Sequence, residues 1–217
     1  MRKLLFILGL LTTVAAKAQD ITYGLTSRFG VYKTIVSSRE SVGANNTYGR
    51  GLQLQLGGWL RKQVAEKGAV QLAVLQDIER QGGGTILVID GQGYDITNLK
   101  TRYGNLAIGA NALYLYQLRE NLAVGAGLGA SYTYVAVMAL QELEYGGYHT
   151  VGGKELYNNY YHRKLRFYVP LEVQQKLSSR LQLVGQVKVP LGNKIAASES
   201  AFRERDLGLA LGVNYAL

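Results

Sequence analysis

The sequence predicts an all-β fold: a single eight-stranded antiparallel up-and-down transmembrane β-barrel with long external loops and short periplasmic turns. Three observations support this prediction. Large apolar residues alternate with small or polar residues along eight segments, which is the period of a strand with one apolar face. The connections between these segments alternate long and short. Beyond the N-terminus no run of about 18 apolar residues is present to form a transmembrane helix.

The last segment shows the alternation most clearly. Odd positions from Leu207 to Leu217 are large and apolar, and even positions from Gly208 to Ala216 are small or polar. A segment this apolar would aggregate as an open sheet edge. We therefore expect it to pair with the first strand, close the barrel and show its apolar face to lipid.

An export signal is predicted before the first strand. The basic pair Arg2-Lys3 precedes an apolar stretch from Leu4 to Val14, and Ala16-Lys17-Ala18 fits an A-x-A cleavage site. We expect residues 1–18 to be removed, with a short anchor helix as the alternative, and residues 19–217 to form one barrel domain. The formal net charge then falls from +9 to +6, which favours anionic lipid headgroups over nucleic acid.

Eight strands are predicted in order, each from its own apolar face. Their ranges are about 20–32, 48–61, 70–79, 103–118, 122–134, 161–174, 181–189 and 207–217. The long connections are polar or Gly-rich and are predicted external loops at 33–47, 80–102, 139–160 and 191–205. The short turns are predicted at 62–68, 119–121 and 178–180. Inside 80–102, a β-rich run followed by Asp90-Gly91 predicts a small hairpin rising out of the membrane.

Residue types on the second face decide which face is outside. A soluble lipocalin-like barrel also alternates, but it places apolar side chains inward and charged ones outward. Here the second face is often Gly, Ala, Asn or Gln, which suits a crowded interior. Tyrosines on the apolar face predict two aromatic girdles at the membrane interfaces. Tyr23, Tyr114, Tyr116 and Tyr215 fall near the periplasmic ends, and Tyr48, Tyr132, Tyr134 and Tyr161 near the external ends.

The same parity places charged residues in the lumen. We expect them to form a paired polar network that fills the interior, because buried charges persist when they are paired. Its predicted members are Arg28, Arg61, Asp77, Glu79, Lys164, Arg166, Glu172 and Lys188. Arg61 and Glu172 are predicted to lie at similar depth and to interact within one polar network, with Trp59 packed beside them. The alternative is that these charges line a narrow polar path or a small binding site.

Catalytic chemistry finds little support in the sequence. Cysteine is absent, which removes thiol catalysis and Cys-based metal sites. His149 and His162 are the two histidines, and neither has a Ser or acid at a suggestive spacing. We therefore predict no catalytic residue, no metal site and no cofactor. The strand glycines Gly125, Gly127 and Gly129 are read as lumen packing and not as a phosphate loop, because they share one strand face.

These residues and their pattern resemble the small outer-membrane β-barrel proteins of Gram-negative bacteria, including PorT-like proteins and the OmpA and OmpX barrels. Gly212, Tyr215 and Leu217 look like the C-terminal signal read by the barrel-assembly machinery, although such signals commonly end in an aromatic residue. The resemblance implies a location in the outer membrane of a Gram-negative bacterium and contact with its lipid.

The functional prediction is a non-enzymatic barrel, structural or interacting at the surface through its external loops. An extracellular protein or glycan is the expected class of ligand, for example at the loop tyrosines Tyr145, Tyr148, Tyr157 and Tyr160. The alternatives are a narrow channel for small polar solutes and a lipid-modifying enzyme. We expect a monomer that does not bind nucleic acid.

Overall fold

The computed structural model describes residues 21–38, 50–89, 95–142, 148–152, 163–193 and 202–217. Nine strands are present in these ranges. They are β1 (Ile21–Ser38), β2 (Arg50–Ala65), β3 (Gly68–Ile89), β4 (Asp95–Arg119), β5 (Leu122–Glu142), β6 (Tyr148–Gly152), β7 (Leu165–Lys176), β8 (Leu181–Pro190) and β9 (Phe202–Ala216). The predicted signal peptide at 1–18 lies outside the described residues.

The sheet closes on itself as an eight-stranded antiparallel barrel. Each strand of the ring pairs with its neighbours in the chain, β4 pairs with β5, and the last strand, β9, pairs with β1 from Gly24↔Ala216 to Ser38↔Phe202. Short β6 adds a flap to β5 at one end, above the point where β7 takes over the same edge. The predicted fold class and the predicted pairing of the last strand with the first are therefore confirmed.

The two ends of the barrel differ in construction. Short turns join β2 to β3 at 66–67, β4 to β5 at 120–121, and β7 to β8 at 177–180. We call this the turn end, and the opposite end the arm end. In outer-membrane barrels the short turns face the periplasm, so the arm end faces outside.

The wall is much taller on one side than on the other. β8 has 10 residues and β7 has 12, whereas β3 has 22 and β4 has 25. A tilted strand needs about 9–11 residues to cross the hydrocarbon core. The low strands therefore match a single crossing, and the upper parts of β3 and β4 extend beyond it as an arm.

Several predicted loops are shorter than expected, because the strands continue through them. Most of the predicted loop 80–102 is paired, since β3 and β4 remain hydrogen-bonded from Gly82↔Arg102 to Ile89↔Asp95. The predicted small hairpin is therefore a continuation of these two barrel strands. β1 extends to Ser38, β5 to Glu142, and β9 begins at Phe202. In the opposite sense, the predicted strand 161–174 begins only at Leu165 within the described residues.

The large apolar side chains point outward. Those of Leu128 and Leu211 are 65% and 63% exposed, and apolar outward positions recur on all eight strands of the ring. Polar side chains such as Gln55, Gln71 and Asn214 are fully buried inside. This polarity excludes the soluble lipocalin-like alternative, because a soluble barrel buries its apolar face. A contiguous apolar exterior around a polar interior is the arrangement of a barrel embedded in lipid.

Glycines on the inner face make room for large side chains. A Cβ at Gly129 would collide with the ring of Tyr168, and one at Gly51 would collide with the ring of Tyr32. Both tyrosines are buried in the interior. Gly129 on β5 therefore serves lumen packing, because the position of the Tyr168 ring depends on the missing side chain there.

Candidate functional site

The barrel interior is the candidate functional site, because it gathers most of the described buried charges. Alternation in each strand sends every second side chain inward, and those side chains are mainly Gln, Asn, Thr, Asp, Glu and Arg. They bond across the lumen in four layers. We describe the layers from the turn end to the arm end.

The turn-end layer is built around Arg61 on β2. Its guanidinium donates to the side-chain oxygens of Gln71 at 2.6 Å, Gln174 at 2.5 Å and Gln182 at 3.0 Å. It also stacks on the indole of Trp59, 5.1 Å from the ring centroid. The Trp59 indole N–H donates to the Leu25 carbonyl at 3.0 Å, which fixes the ring.

The middle layer is built around Glu172 on β7. Its Oε1 accepts hydrogen bonds from Arg28 and from Gln186, each at 2.6 Å, and its Oε2 accepts one from Gln174 at 2.8 Å. Both members of the Arg28–Glu172 ion pair are fully buried. Three donors therefore surround this one buried carboxylate and satisfy both of its oxygens.

The third layer joins β3 to β8 through Asp77. Its carboxylate accepts a hydrogen bond from Gln55 and forms an ion pair with Lys188 at 3.2 Å. The Lys188 ammonium also lies 4.9 Å from the ring centroid of Tyr168. The Tyr168 hydroxyl in turn donates to Asn111 on β4.

The arm-end layer centres on Arg166. Its guanidinium bridges Glu79 on β3 and Asp206 on β9, with both N–O distances at 3.3 Å. Asn105 donates to Glu79 at 2.8 Å, and the Thr34 hydroxyl donates to Asp206 at 2.6 Å. This layer is less buried than the middle one, since its charged side chains keep 10–16% of their surface exposed.

These contacts cross the lumen from wall to wall. In the order around the ring, β2 lies opposite β7, and β3 lies opposite β8. The hydrogen bonds from Arg61 to Gln174 and from Lys188 to Asp77 therefore span the full diameter.

Two cavities lie at the ends of the lumen, of about 160 Å³ at the arm end and about 260 Å³ at the turn end. Neither cavity is lined by Arg28 or Glu172. The middle layer thus closes the space between them.

The structure brings most of the predicted lumen residues together. Inside the barrel it places Arg28, Arg61, Asp77, Glu79, Arg166, Glu172 and Lys188. Lys164 lies in the bend before β7 and is exposed. Arg61 and Glu172, which are predicted to interact within one polar network, do not bond to each other directly, because the ion-pair partner of Glu172 is Arg28. Both residues still belong to one network through Gln174, and Trp59 is beside Arg61 as expected.

Sequence reasoning missed the neutral half of the network. Gln71 and Gln174 accept hydrogen bonds from Arg61, and Gln174 and Gln186 donate to Glu172. Asp206, which pairs with Arg166, was assigned to no role. Strand parity would have found them, since each lies on an inward position of its strand. A glutamine on an inward position indicates the face on which it lies but not the charged group that it contacts.

The described girdle tyrosines are all exposed on the outer face. Tyr23, Tyr114, Tyr116 and Tyr215 lie toward the turn end, and Tyr132 and Tyr134 toward the arm end. Tyr48 and Tyr161 lie outside the described residues. Tyr134 is the extra residue of a bulge, since Leu106 pairs with Val135 and Ala107 with Thr133. Of the predicted assembly signal, Tyr215 and Leu217 are exposed and Gly212 faces inward.

Other predicted features fall partly or wholly outside the described side chains. These are His149, His162 and the loop tyrosines Tyr145, Tyr148, Tyr157 and Tyr160. Within the part of the chain that the structure describes, no group of three or more His, Cys, Asp or Glu side chains is arranged to hold a metal ion. In the same residues, no helix is long and apolar enough to cross a membrane.

Comparisons with known proteins give no family. No family model matches the chain, and no curated protein matches it. Solved structures of outer-membrane barrels do match. Neisserial surface protein A is 12% identical with a TM-score of 0.48, covering 89% of this chain and 97% of that one. Ail, the attachment invasion locus protein of Yersinia pestis, is 11% identical with a TM-score of 0.43, covering 89% and 99%.

The outer-membrane protease OmpT from Escherichia coli is a third match. It is 7% identical with a TM-score of 0.36, covering 91% of this chain and 95% of that one. The matched structures thus include both an attachment protein and a protease, and similarity this distant does not indicate either role for this chain. The assignment rests on the molecule itself: a closed ring of eight antiparallel strands with an apolar exterior and a polar interior is a small outer-membrane β-barrel.

Proposed function

We propose that this chain is a non-enzymatic outer-membrane protein that acts as a closed, rigid anchor and presents its arm end to a partner outside the cell. One observation supports the proposal above others: the cross-lumen network. A barrel bridged by ion pairs from β1 and β3 to β7 and β8, and by the Arg61 hydrogen bonds from β2 to the same two strands, has little freedom to open a path or to admit a substrate.

The tall side of the wall supports the second half of the proposal. β3 and β4 together continue as a paired ladder from Gly82↔Arg102 to Ile89↔Asp95, well above the ends of β7 and β8. We call this ladder the β3–β4 arm. A rigid paired arm offers binding groups with little ordering cost, because its backbone is already fixed. The class of partner that suits it is an extracellular protein or glycan.

Conductance in a planar lipid bilayer tests the closed interior. Refolded protein should give no current steps above the background of the bare bilayer. A double variant, Arg28→Ala with Glu172→Ala, removes the middle layer's ion pair and serves as the positive comparison. Steady steps from the unmodified protein would contradict the closed anchor and favour the narrow channel.

Binding to an array of extracellular glycans and matrix proteins tests the presenting role. The comparison variant joins Gly82 to Arg102 by Asn-Gly, a two-residue turn that suits a paired position in an antiparallel hairpin. The full chain should bind a defined subset of the array, and the variant should lose that binding while still folding. Equal binding by both proteins, or by neither, would remove the arm from the proposal.

A further inference from the structure

The cavity at the turn end differs from the rest of the interior in its charge. Its volume is about 260 Å³, and its lining includes Arg61 at the inner wall and Gln182 beside it. Around the mouth stand the basic residues Lys67, Arg119 and Lys176, which we call the basic rim, with Glu120 as the acidic lining residue. The lining thus carries a clear excess of positive charge.

Arg61 has an unusual set of partners for an interior cation. Arg28, Arg166 and Lys188 each contact a carboxylate at 2.6–3.3 Å. Within the described residues, the hydrogen bonds of Arg61 all go to neutral glutamine oxygens. A guanidinium in a partly desolvated wall keeps its full charge, and neutral amides compensate it less well than an anion does.

Two donors of this cluster remain available to the cavity. Arg61 bonds through Nε and Nη2, and its Nη1 is neither used by those bonds nor sealed from the cavity. Gln182 accepts from Arg61 with its oxygen, which leaves its amide N–H₂ unused beside the guanidinium. Donors and positive charge therefore converge on one space, whose lining side chains among the described residues include a single carboxylate, that of Glu120.

We propose that this cavity binds a phosphate-class oxyanion, with Arg61 and Gln182 contacting its oxygens from the wall and the basic rim drawing it in. Guanidinium and ammonium groups are the donors that proteins use for phosphate. The oxyanion is either free phosphate or the headgroup of an anionic phospholipid in the leaflet at the turn end. This site is independent of the arm and of the proposed presenting role.

Trp59 provides the measurement. It is the one tryptophan of the chain, and its ring lies 5.1 Å from the Arg61 guanidinium carbon. Binding of an anion to Arg61 should therefore change the fluorescence of Trp59. In one arm of the experiment, inorganic phosphate is titrated into protein folded in maltoside micelles, against chloride at equal ionic strength. In the other, the micelles are doped with phosphatidylglycerol and no phosphate is added.

A saturable change in the first arm identifies free phosphate, and a change only in the second identifies the lipid headgroup. In either case Arg61→Gln should raise the apparent dissociation constant of the anion by about tenfold or more, because the substitution removes a charge-assisted contact. The double variant Lys67→Gln with Lys176→Gln should weaken anion binding by a smaller factor. This double variant also keeps the test valid if Arg61→Gln does not fold. Lys62→Gln is the matched control, since Lys62 is exposed at the same end but does not line the cavity.

No saturable change in either arm would overturn the proposal. An equal response to chloride and phosphate would also overturn it, because that indicates screening alone. So would a response that is the same in the wild type, in Arg61→Gln and in the double lysine variant. Loss of the response in Lys62→Gln to the same degree as in the double variant would show a general charge effect and no site.

Discussion

Single residues in the lumen carry much of the stability that a barrel this narrow requires. Glu172 is 2% exposed and receives hydrogen bonds from Arg28, Gln174 and Gln186. Loss of its charge would leave Arg28 buried without an anion, and the guanidinium already has one buried nitrogen, Nη2, without a partner. Breaking the pair therefore destabilises the fold mainly because the Arg28 charge stays buried without a partner.

We predict that Glu172→Gln lowers the free energy of unfolding by about 3–5 kcal/mol, the usual cost of breaking a buried ion pair. Urea unfolding in lipid vesicles, followed by Trp59 fluorescence, measures the change. Glu66→Gln is the control, because Glu66 lies exposed in the turn between β2 and β3. Equal stability of both variants would show that the Arg28–Glu172 pair contributes nothing to the fold.

Strand parity predicted which residues face the lumen but not which of them meet. Parity sets Arg61 and Glu172 at similar depth, yet the tilt of the strands brings Arg28 to Glu172 and leaves Gln174 between Glu172 and Arg61. Partners across a barrel depend on the stagger of all strands between them. No pattern within one strand contains that stagger.

At the scale of the element, β9 shows how one strand serves two environments. Leu211 points into the apolar belt, while its neighbour Gly212 faces Ser27 and Arg28 on β1. A Cβ at Gly212 would collide with the Ser27 carbonyl oxygen and the Arg28 side chain. Adjacent positions therefore tolerate opposite kinds of change.

Leu211→Arg should weaken folding into lipid vesicles by about 2–4 kcal/mol, the cost of a basic side chain near the bilayer midplane. Gly212→Val should fail for a different reason, since it overfills the interior next to Arg28. Refolding into vesicles and into detergent micelles separates the two effects. The arginine variant should recover largely in detergent, whereas the valine variant should be impaired in both; recovery of both variants would contradict the packing at Gly212.

The β3–β4 arm is predicted to be independent of the barrel. Joining Gly82 to Arg102 by Asn-Gly should leave the urea midpoint of the barrel unchanged, because the four lumen layers lie on retained residues. Heat-modifiable migration on gels checks folding, and urea unfolding checks stability. A large drop in the midpoint would mean that the arm holds the wall together.

Sequence periodicity found the membrane-crossing parts of the strands and missed their extensions. Within lipid, one face must be apolar, so Leu106 to Leu118 on β4 alternates visibly. Above the membrane both faces of a strand are free to be polar, and residues 95–102 of the same strand carry no alternation. The ladder with β3 nevertheless continues there, because backbone pairing does not depend on the side-chain pattern.

At the scale of the whole molecule, the low side of the wall sets the position in the membrane. β7 and β8 have just enough residues for one crossing, so the bilayer must lie along them. The same level on the tall side falls on the lower halves of β3, β4 and β5, where the outward residues are apolar. Lipid thus surrounds a ring whose centre is occupied by ion pairs.

Spin labels around the circumference test this arrangement most directly, because the chain has no native cysteine to remove. Single labels are placed outward on four strands, at Phe29, Leu72, Leu128 and Leu211, and inward at Ala73 and Ala210. In vesicles, all four outward labels should collide with oxygen dissolved in the bilayer and be shielded from a water-soluble relaxant. The inward labels, where tolerated, should be shielded from oxygen. Access of the water-soluble relaxant to the outward labels, or the reverse pattern between the two faces, would contradict a membrane-spanning barrel with a filled interior.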